Sequence, residues 1–84
     1  MNSNTTSLFS VEELNEALIE KTIKEVYEAL EERHLNPVNQ LVGYIMSGDP
    51  GYISSHKEAR TKISKIDRTK IIDVLVRNYI DRIK

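Results

Sequence analysis

Between Asn36-Pro37 and Ser47-Gly48-Asp49-Pro50 the chain has room for one short helix and for no other regular element. Asparagine is a favoured helix cap, and proline in the first helical position loses no hydrogen bond that the helix would have made. At the far end glycine suits a left-handed C-terminal residue and Asp-Pro stops the run. Val38, Leu41, Val42 and Ile45 fall at helical spacing between these signals, and Asp49-Pro50 can open a further short turn. Related punctuation marks the rest of the chain. Ser10 with Glu13, and again Ser55 with Glu58, has the capping-box spacing, and Asp67 can cap a last helix. Nowhere do apolar and polar residues alternate as in a strand. The expected fold is all-α, a compact bundle of about four to five short helices.

The apolar positions say how these helices should pack. In the first, Val11, Leu14 and Leu18 line one face, while Ile19, Ile23, Val26 and Leu30 form a stripe rotated away from it. Such a helix either bends or buries two faces near residue 18. The helix opened by Ser55 would turn Ala59, Ile63 and Ile66 inward. In the last helix Ile71, Ile72, Val74, Leu75, Val76, Tyr79, Ile80 and Ile83 cover far more than one stripe. It should be central to the bundle or shared with a second subunit.

A chain of 84 residues has interior for one core only. Its balance of 39% hydrophobic and 30% charged residues is that of a folded domain and not of a disordered one. A domain this small buries only about 60% of the surface its unfolded chain exposes, which makes a homodimer plausible. Residues 1–9 are Asn, Ser and Thr with Leu8 and Phe9 at the end, and read as a flexible N-terminal tail ahead of a single helical domain over 10–84. The absence of cysteine removes disulfides and thiolate chemistry and fits the reducing cytoplasm. No basic stretch followed by an apolar run, and no segment of about 18 apolar residues, suggests secretion or membrane insertion.

Charge is unevenly distributed. Residues 1–35 carry eight acids and three bases, a net of −5, whereas residues 56–70 carry six bases and two acids, a net of +4. The two segments could attract each other or different partners. His34 and His56 do not stand at metal-ligand spacing, so no metal or cofactor is expected. No phosphate loop, nucleophile elbow or Ser/His/Asp arrangement gives catalysis a centre. A basic helix over 56–70 has three readings: a solvated face, a nucleic-acid surface, or a dock for an acidic or phosphorylated segment. Short helices around a glycine turn also resemble helix-turn-helix DNA-binding proteins. The candidate recognition helix lacks a rich set of base-reading Asn, Gln and Arg, and the chain is slightly acidic overall, so nucleic acid is the second choice.

The run Asn36-Pro37-Val38-Asn39-Gln40-Leu41-Val42-Gly43-Tyr44-Ile45-Met46-Ser47-Gly48-Asp49-Pro50-Gly51-Tyr52 is similar to the signature of the IreB-like family of small regulatory phosphoproteins of Gram-positive bacteria. The likeness extends back through Val26-Tyr27-Glu28-Ala29-Leu30-Glu31-Glu32 and forward through His56-Lys57-Glu58-Ala59-Arg60. The resemblance implies a compact helical homodimer without enzymatic activity, phosphorylated by a membrane-anchored Ser/Thr kinase that senses the cell wall. It further implies an effect on peptidoglycan-precursor synthesis and beta-lactam tolerance, through a Clp protease component and the enzyme that commits UDP-N-acetylglucosamine to the wall. The family phosphoacceptor is a tail threonine, often in a Thr-x-x-Phe setting, which Thr6-Ser7-Leu8-Phe9 fits. Thr6 is the first choice, Thr5 is adjacent, and Ser3 sits where some relatives carry a second threonine. Arg60 and Arg68 match family arginines, Lys65 lies beside another, and with His56 they form the implied partner-binding surface.

Overall fold

The computed structural model describes residues 10–84. Over that span it is all-α, as expected, with four α-helices and two single 3-10 turns. Helix α1 spans Val11–Glu32, α2 Pro37–Ser47, α3 Ala59–Ser64 and α4 Arg68–Ile83. The 3-10 turns are Pro50–Tyr52 and His56–Glu58. The tail over 1–9, with Thr6, Thr5 and Ser3, lies outside the described residues.

Local chemistry accounts for most of these boundaries. Ser10 and Glu13 close a reciprocal capping box, with the Ser10 amide 3.0 Å from Glu13 Oε1 and the Glu13 amide 3.0 Å from Ser10 Oγ. The Asn36 side chain accepts from the Asn39 amide at 3.0 Å, and Gly48, at φ 76°, ends α2 by donating to the Tyr44 carbonyl at 2.7 Å. Asp49 caps the first 3-10 turn, and Asp67 accepts from the Thr69 amide at 2.9 Å to start α4. Each cap satisfies backbone groups that the helix leaves without partners and is worth about 1 kcal/mol.

Ser55 breaks the pattern. Its side chain makes no capping bond, and Lys57 and Glu58 both adopt left-handed backbone angles, φ 54° and 62°. The capping box expected from Ser55 and Glu58 is therefore not made, and α-helix begins only at Ala59. Nor do residues 56–70 form one basic helix, because α3 ends at Ser64 and a turn at Asp67 separates it from α4.

One core joins all four helices. Ile19, Val26, Ala29 and Leu30 of α1 meet Tyr44 of α2, Ala59 and Ile63 of α3, and Ile71 and Val74 of α4, with Ile23, Leu41, Ile45 and Ile66 packed at the edge. Ile53, in the connection between the two 3-10 turns, is also fully buried. Its amide donates to the Pro50 carbonyl at 3.0 Å and its carbonyl accepts from Arg60 Nε at 2.8 Å, so a loop residue enters the core with both backbone polar groups paired. Thr22, the one buried polar side chain among the described residues, donates its hydroxyl to the Leu18 carbonyl at 2.9 Å.

Two sequence expectations about faces are corrected. Helix α1 buries only its Ile19–Val26–Leu30 stripe, and Val11, Leu14 and Leu18 stay exposed. Of the two alternatives for α4, a central place is not the one adopted: Ile71 and Val74 reach the core, whereas Ile72, Leu75, Val76, Tyr79, Ile80 and Ile83 are exposed.

Candidate functional site

The acidic helix and the basic stretch of residues 56–70 meet within the chain. Glu32, in the last turn of α1, accepts from His56 Nε2 at 2.8 Å through one carboxylate oxygen and from Lys57 Nζ at 3.0 Å through the other. A carboxylate at a helix C-terminus opposes the helix dipole, and α1 has no base in its last turn to relieve it. Lys57 supplies that charge from across the fold, and His56 adds a hydrogen bond. The bond from His56 and then that from Lys57 hold the Glu32 carboxyl below its ordinary value. Two turns earlier Glu25 pairs with Lys21 and, at 3.3 Å, with Lys62 of α3, and its carboxyl is lowered by Lys21 first and Lys62 second. Of the two uses for the charge asymmetry, mutual attraction is thus partly realised.

Both arginines hold backbone. Arg60 Nε bonds the Ile53 carbonyl at 2.8 Å, and Arg68 Nη1 bonds the Ile45 carbonyl at 2.7 Å. Arg68 lies at the wrong end of its own helix, where a cation is disfavoured, but it neutralises the C-terminal turn of α2, which has no base. Its guanidinium passes so close to Gly48 that a Cβ there would lie 2.8 Å from Cζ. Arg60 thus ties its own helix to the Ile53 connection, and Arg68 ties the start of α4 to the end of α2. These side chains remain exposed, so a partner can meet them, but each is already tied to a carbonyl.

Two bases of the stretch are left over. Lys65 and Lys70 make no ion pair with any described residue and are exposed. They line one shallow groove together with Asn15, Leu18, Ile66 and Asp67, between the first half of α1 and the α3–α4 junction. Sequence reasoning singled out Lys65 but not Lys70; Lys65 follows the end of α3 and Lys70 lies in the first turns of α4, and the turn at Asp67 brings both to this groove. Of the four expected partner-binding residues, His56 and Arg60 sit around the Ile53 connection, Arg68 sits over α2, and Lys65 faces this groove.

The run Asn36 to Tyr52 that carries the family likeness proves to be a structural corner. The Tyr52 ring lies over the Gly43 backbone, where a Cβ would stand 2.4 Å from its Cε1, and Gln40 Nε2 holds the Tyr52 carbonyl at 2.9 Å. Ser47 donates its hydroxyl to the Gly43 carbonyl at 2.7 Å and accepts from the Asp49 amide at 3.0 Å. These bonds seat Arg68 and deliver Ile53 to the core. A family profile described as the IreB regulatory phosphoprotein matches residues 4–81. The chain belongs to the IreB family. Similar to it as well is a UPF0297 protein of Lachnoclostridium phytofermentans, 49% identical over 78 residues that make up 93% of this chain and 89% of that protein. In this IreB-family chain the match takes in Thr5, Thr6 and the bundle up to the last residues of α4. None of its described helices is long and apolar enough to cross a membrane, and no group of three or more His, Asp or Glu side chains among the described residues could hold a metal ion.

Proposed function

We propose that this chain is a non-enzymatic regulatory phosphoprotein, modified on Thr6 by a membrane-anchored Ser/Thr kinase and controlling peptidoglycan-precursor synthesis, and with it beta-lactam tolerance, by protein-protein binding in the cytoplasm. The observation that carries this reading is the regulatory-phosphoprotein family match, whose range of residues 4–81 includes the tail threonines and nearly all of the bundle. The helical body holds its own charges together through Glu25 and Glu32 and leaves Lys65 and Lys70 without an ion partner among the described residues. Two neighbouring ammonium groups beside Leu18 and Ile66 suit an acidic protein surface. Nucleic acid is a poorer fit, because Lys57 and Lys62 are paired with carboxylates and Arg60 and Arg68 hold carbonyls.

Affinity capture from cell lysate, with the unmodified chain and with the chain phosphorylated on Thr6, tests the proposal. The two forms are expected to retain different amounts of an envelope-synthesis enzyme or a Clp protease component. Lys65→Glu should weaken that retention without changing the melting temperature. Phosphorylation by the kinase mainly outside Ser3, Thr5 and Thr6, or salt-sensitive retention on DNA with no protein partner, would overturn the reading.

The active form is proposed to be a homodimer. On α4, Ile72, Leu75, Val76, Tyr79, Ile80 and Ile83 recur at helical spacing on one exposed stripe, and apolar surface of that extent is commonly covered by a second subunit. Light scattering at micromolar concentration should give twice the chain mass, and Val76→Glu with Tyr79→Glu should return it to one. A wild-type monomer at high concentration would refute the dimer.

A further inference from the structure

Residues 55–58 carry two sets of bonds that one backbone conformation cannot satisfy together. Lys57 and Glu58 are consecutive left-handed residues, at φ 54°, ψ 32° and φ 62°, ψ 20°. Neither is a glycine or an asparagine, so the turn needs a tie to hold it. Among the described residues, the hydrogen bonds that reach it from another helix are those to Glu32, from His56 Nε2 at 2.8 Å and from Lys57 Nζ at 3.0 Å. With the Glu32 and Lys57 side chains 47% and 62% exposed, these bonds stand open to competition. The local alternative goes unused. Ser55 and Glu58 make no capping bond, although in a helix begun at Ser55 they would close the reciprocal box that Ser10 and Glu13 close on α1. The Arg60 amide, which now reaches back to the Ser54 carbonyl at 3.1 Å, would find the His56 carbonyl four residues behind it. Rewinding would end at Ala59, so Ile53, Ala59 and Ile63 keep their buried places. Glu58 in a first turn favours the longer helix and Lys57 disfavours it, which leaves Glu32 to decide.

We propose that residues 55–58 are a two-position joint latched by Glu32, and that an acidic segment of a partner protein opens it by taking His56 and Lys57, so that Ser55 and Glu58 cap a longer α3 beginning at His56. The occupant's chemistry follows from the contact it replaces, a carboxylate whose two oxygens accept from an imidazole N–H and an ammonium. A partner's carboxylate is not fixed to α1, and therefore satisfies the same two groups without holding the turn left-handed. The choice of an acidic protein segment rests on the proposed protein-binding function; the latch stands apart from it.

In the full-length chain, the nuclear Overhauser effect between a residue's own amide and Hα is strong where φ is positive and weak in a helix. It should be strong at Lys57 and Glu58 in the wild type. In Glu32→Ala it should fall to about half or less, and a contact between the His56 Hα and the Ala59 methyl, which a helix brings together, should appear. Glu32→Gln should shift both signals the same way by less. Ser55→Ala should be silent in the wild type, yet in the Glu32→Ala chain it should lower the helical population about threefold, the loss of one cap. Added to the wild type, a hexaglutamate peptide should bring out the same His56–Ala59 contact, and it should bind Glu32→Ala about threefold more tightly. Left-handed signals that survive in Glu32→Ala overturn the latch. Signals that vanish without the Ala59 contact, or a Ser55→Ala change without effect in the Glu32→Ala chain, overturn the capped second position. Peptide-induced shifts confined to Lys65 and Lys70, or opening by a DNA oligonucleotide and not by the peptide, overturn the acidic partner segment, while the variants still decide the latch. Failure to recover an envelope enzyme or a Clp component from lysate counts against the proposed function alone.

Discussion

Ile53→Ala is expected to cost about 3 kcal/mol of folding stability, within the range of about 2–5 kcal/mol for truncating a buried isoleucine. Ile53 has no exposed surface, although it belongs to a connection between two 3-10 turns. Its backbone is fastened by Pro50 on one side and Arg60 on the other, so the loop cannot collapse into the space that alanine leaves. A domain of this size has on the order of 5–10 kcal/mol in total, and each kcal/mol lowers the melting temperature by roughly 4–8 °C. Thermal melts at one fixed protein concentration should therefore show a fall of about 12–24 °C. A fall of only a few degrees would mean that this segment does not anchor the fold.

The second large effect is expected at Gly48. Valine there meets two separate obstacles. Its backbone must hold φ 76°, which a β-branched residue adopts at a cost of roughly 1–2 kcal/mol. Its Cβ would also lie 2.8 Å from the Arg68 guanidinium, displacing the bond to the Ile45 carbonyl, a charged hydrogen bond worth about another 1 kcal/mol at this exposed position. Gly48→Val should lose about 2–3 kcal/mol. Gly48→Asn tolerates the backbone angle but still crowds Arg68, and should lose about half as much. In an Arg68→Ala background the Asn substitution should cost almost nothing further. Denaturant melts of the three variants check this, and equal losses for Val and Asn would show that backbone strain is not the cause.

Elsewhere the chain could be read locally because the interactions are local. Ser10, Asn36, Asp49 and Asp67 each bond an amide two or three residues away, and Gly48 closes on a carbonyl four residues back. Such short-range bonds require nothing from the rest of the fold. Ala59, Ile63 and Ile66 likewise face inward as their helical spacing predicts.

Ser55-x-x-Glu58 has the same spacing as Ser10-x-x-Glu13, yet it makes no cap. Glu32, 24 residues before His56, bonds both His56 and Lys57, and Ser54 instead of Ser55 bonds the His56 amide. These distant contacts accompany left-handed angles at Lys57 and Glu58, each costing about 1 kcal/mol that no local pattern announces. The burial of Ile53 inside a stretch of turns was equally invisible, because its backbone partner Arg60 lies seven residues on, in the helix that follows.

The surface available to a partner divides along the same line. Net charge by segment, the candidate phosphoacceptors Thr6, Thr5 and Ser3, and the surplus of apolar residues in α4 are properties of residue order and can be counted. Which bases remain unpaired depends on which carboxylates the packing brings within reach: Glu25 takes Lys62, Glu32 takes Lys57 and His56, and Lys65 with Lys70 is left over a groove. Which of the two apolar faces of α1 is buried was likewise open until α3 and α4 packed on it. Both faces satisfy the helical period, and only contact with other helices distinguishes a core stripe from an uncovered one.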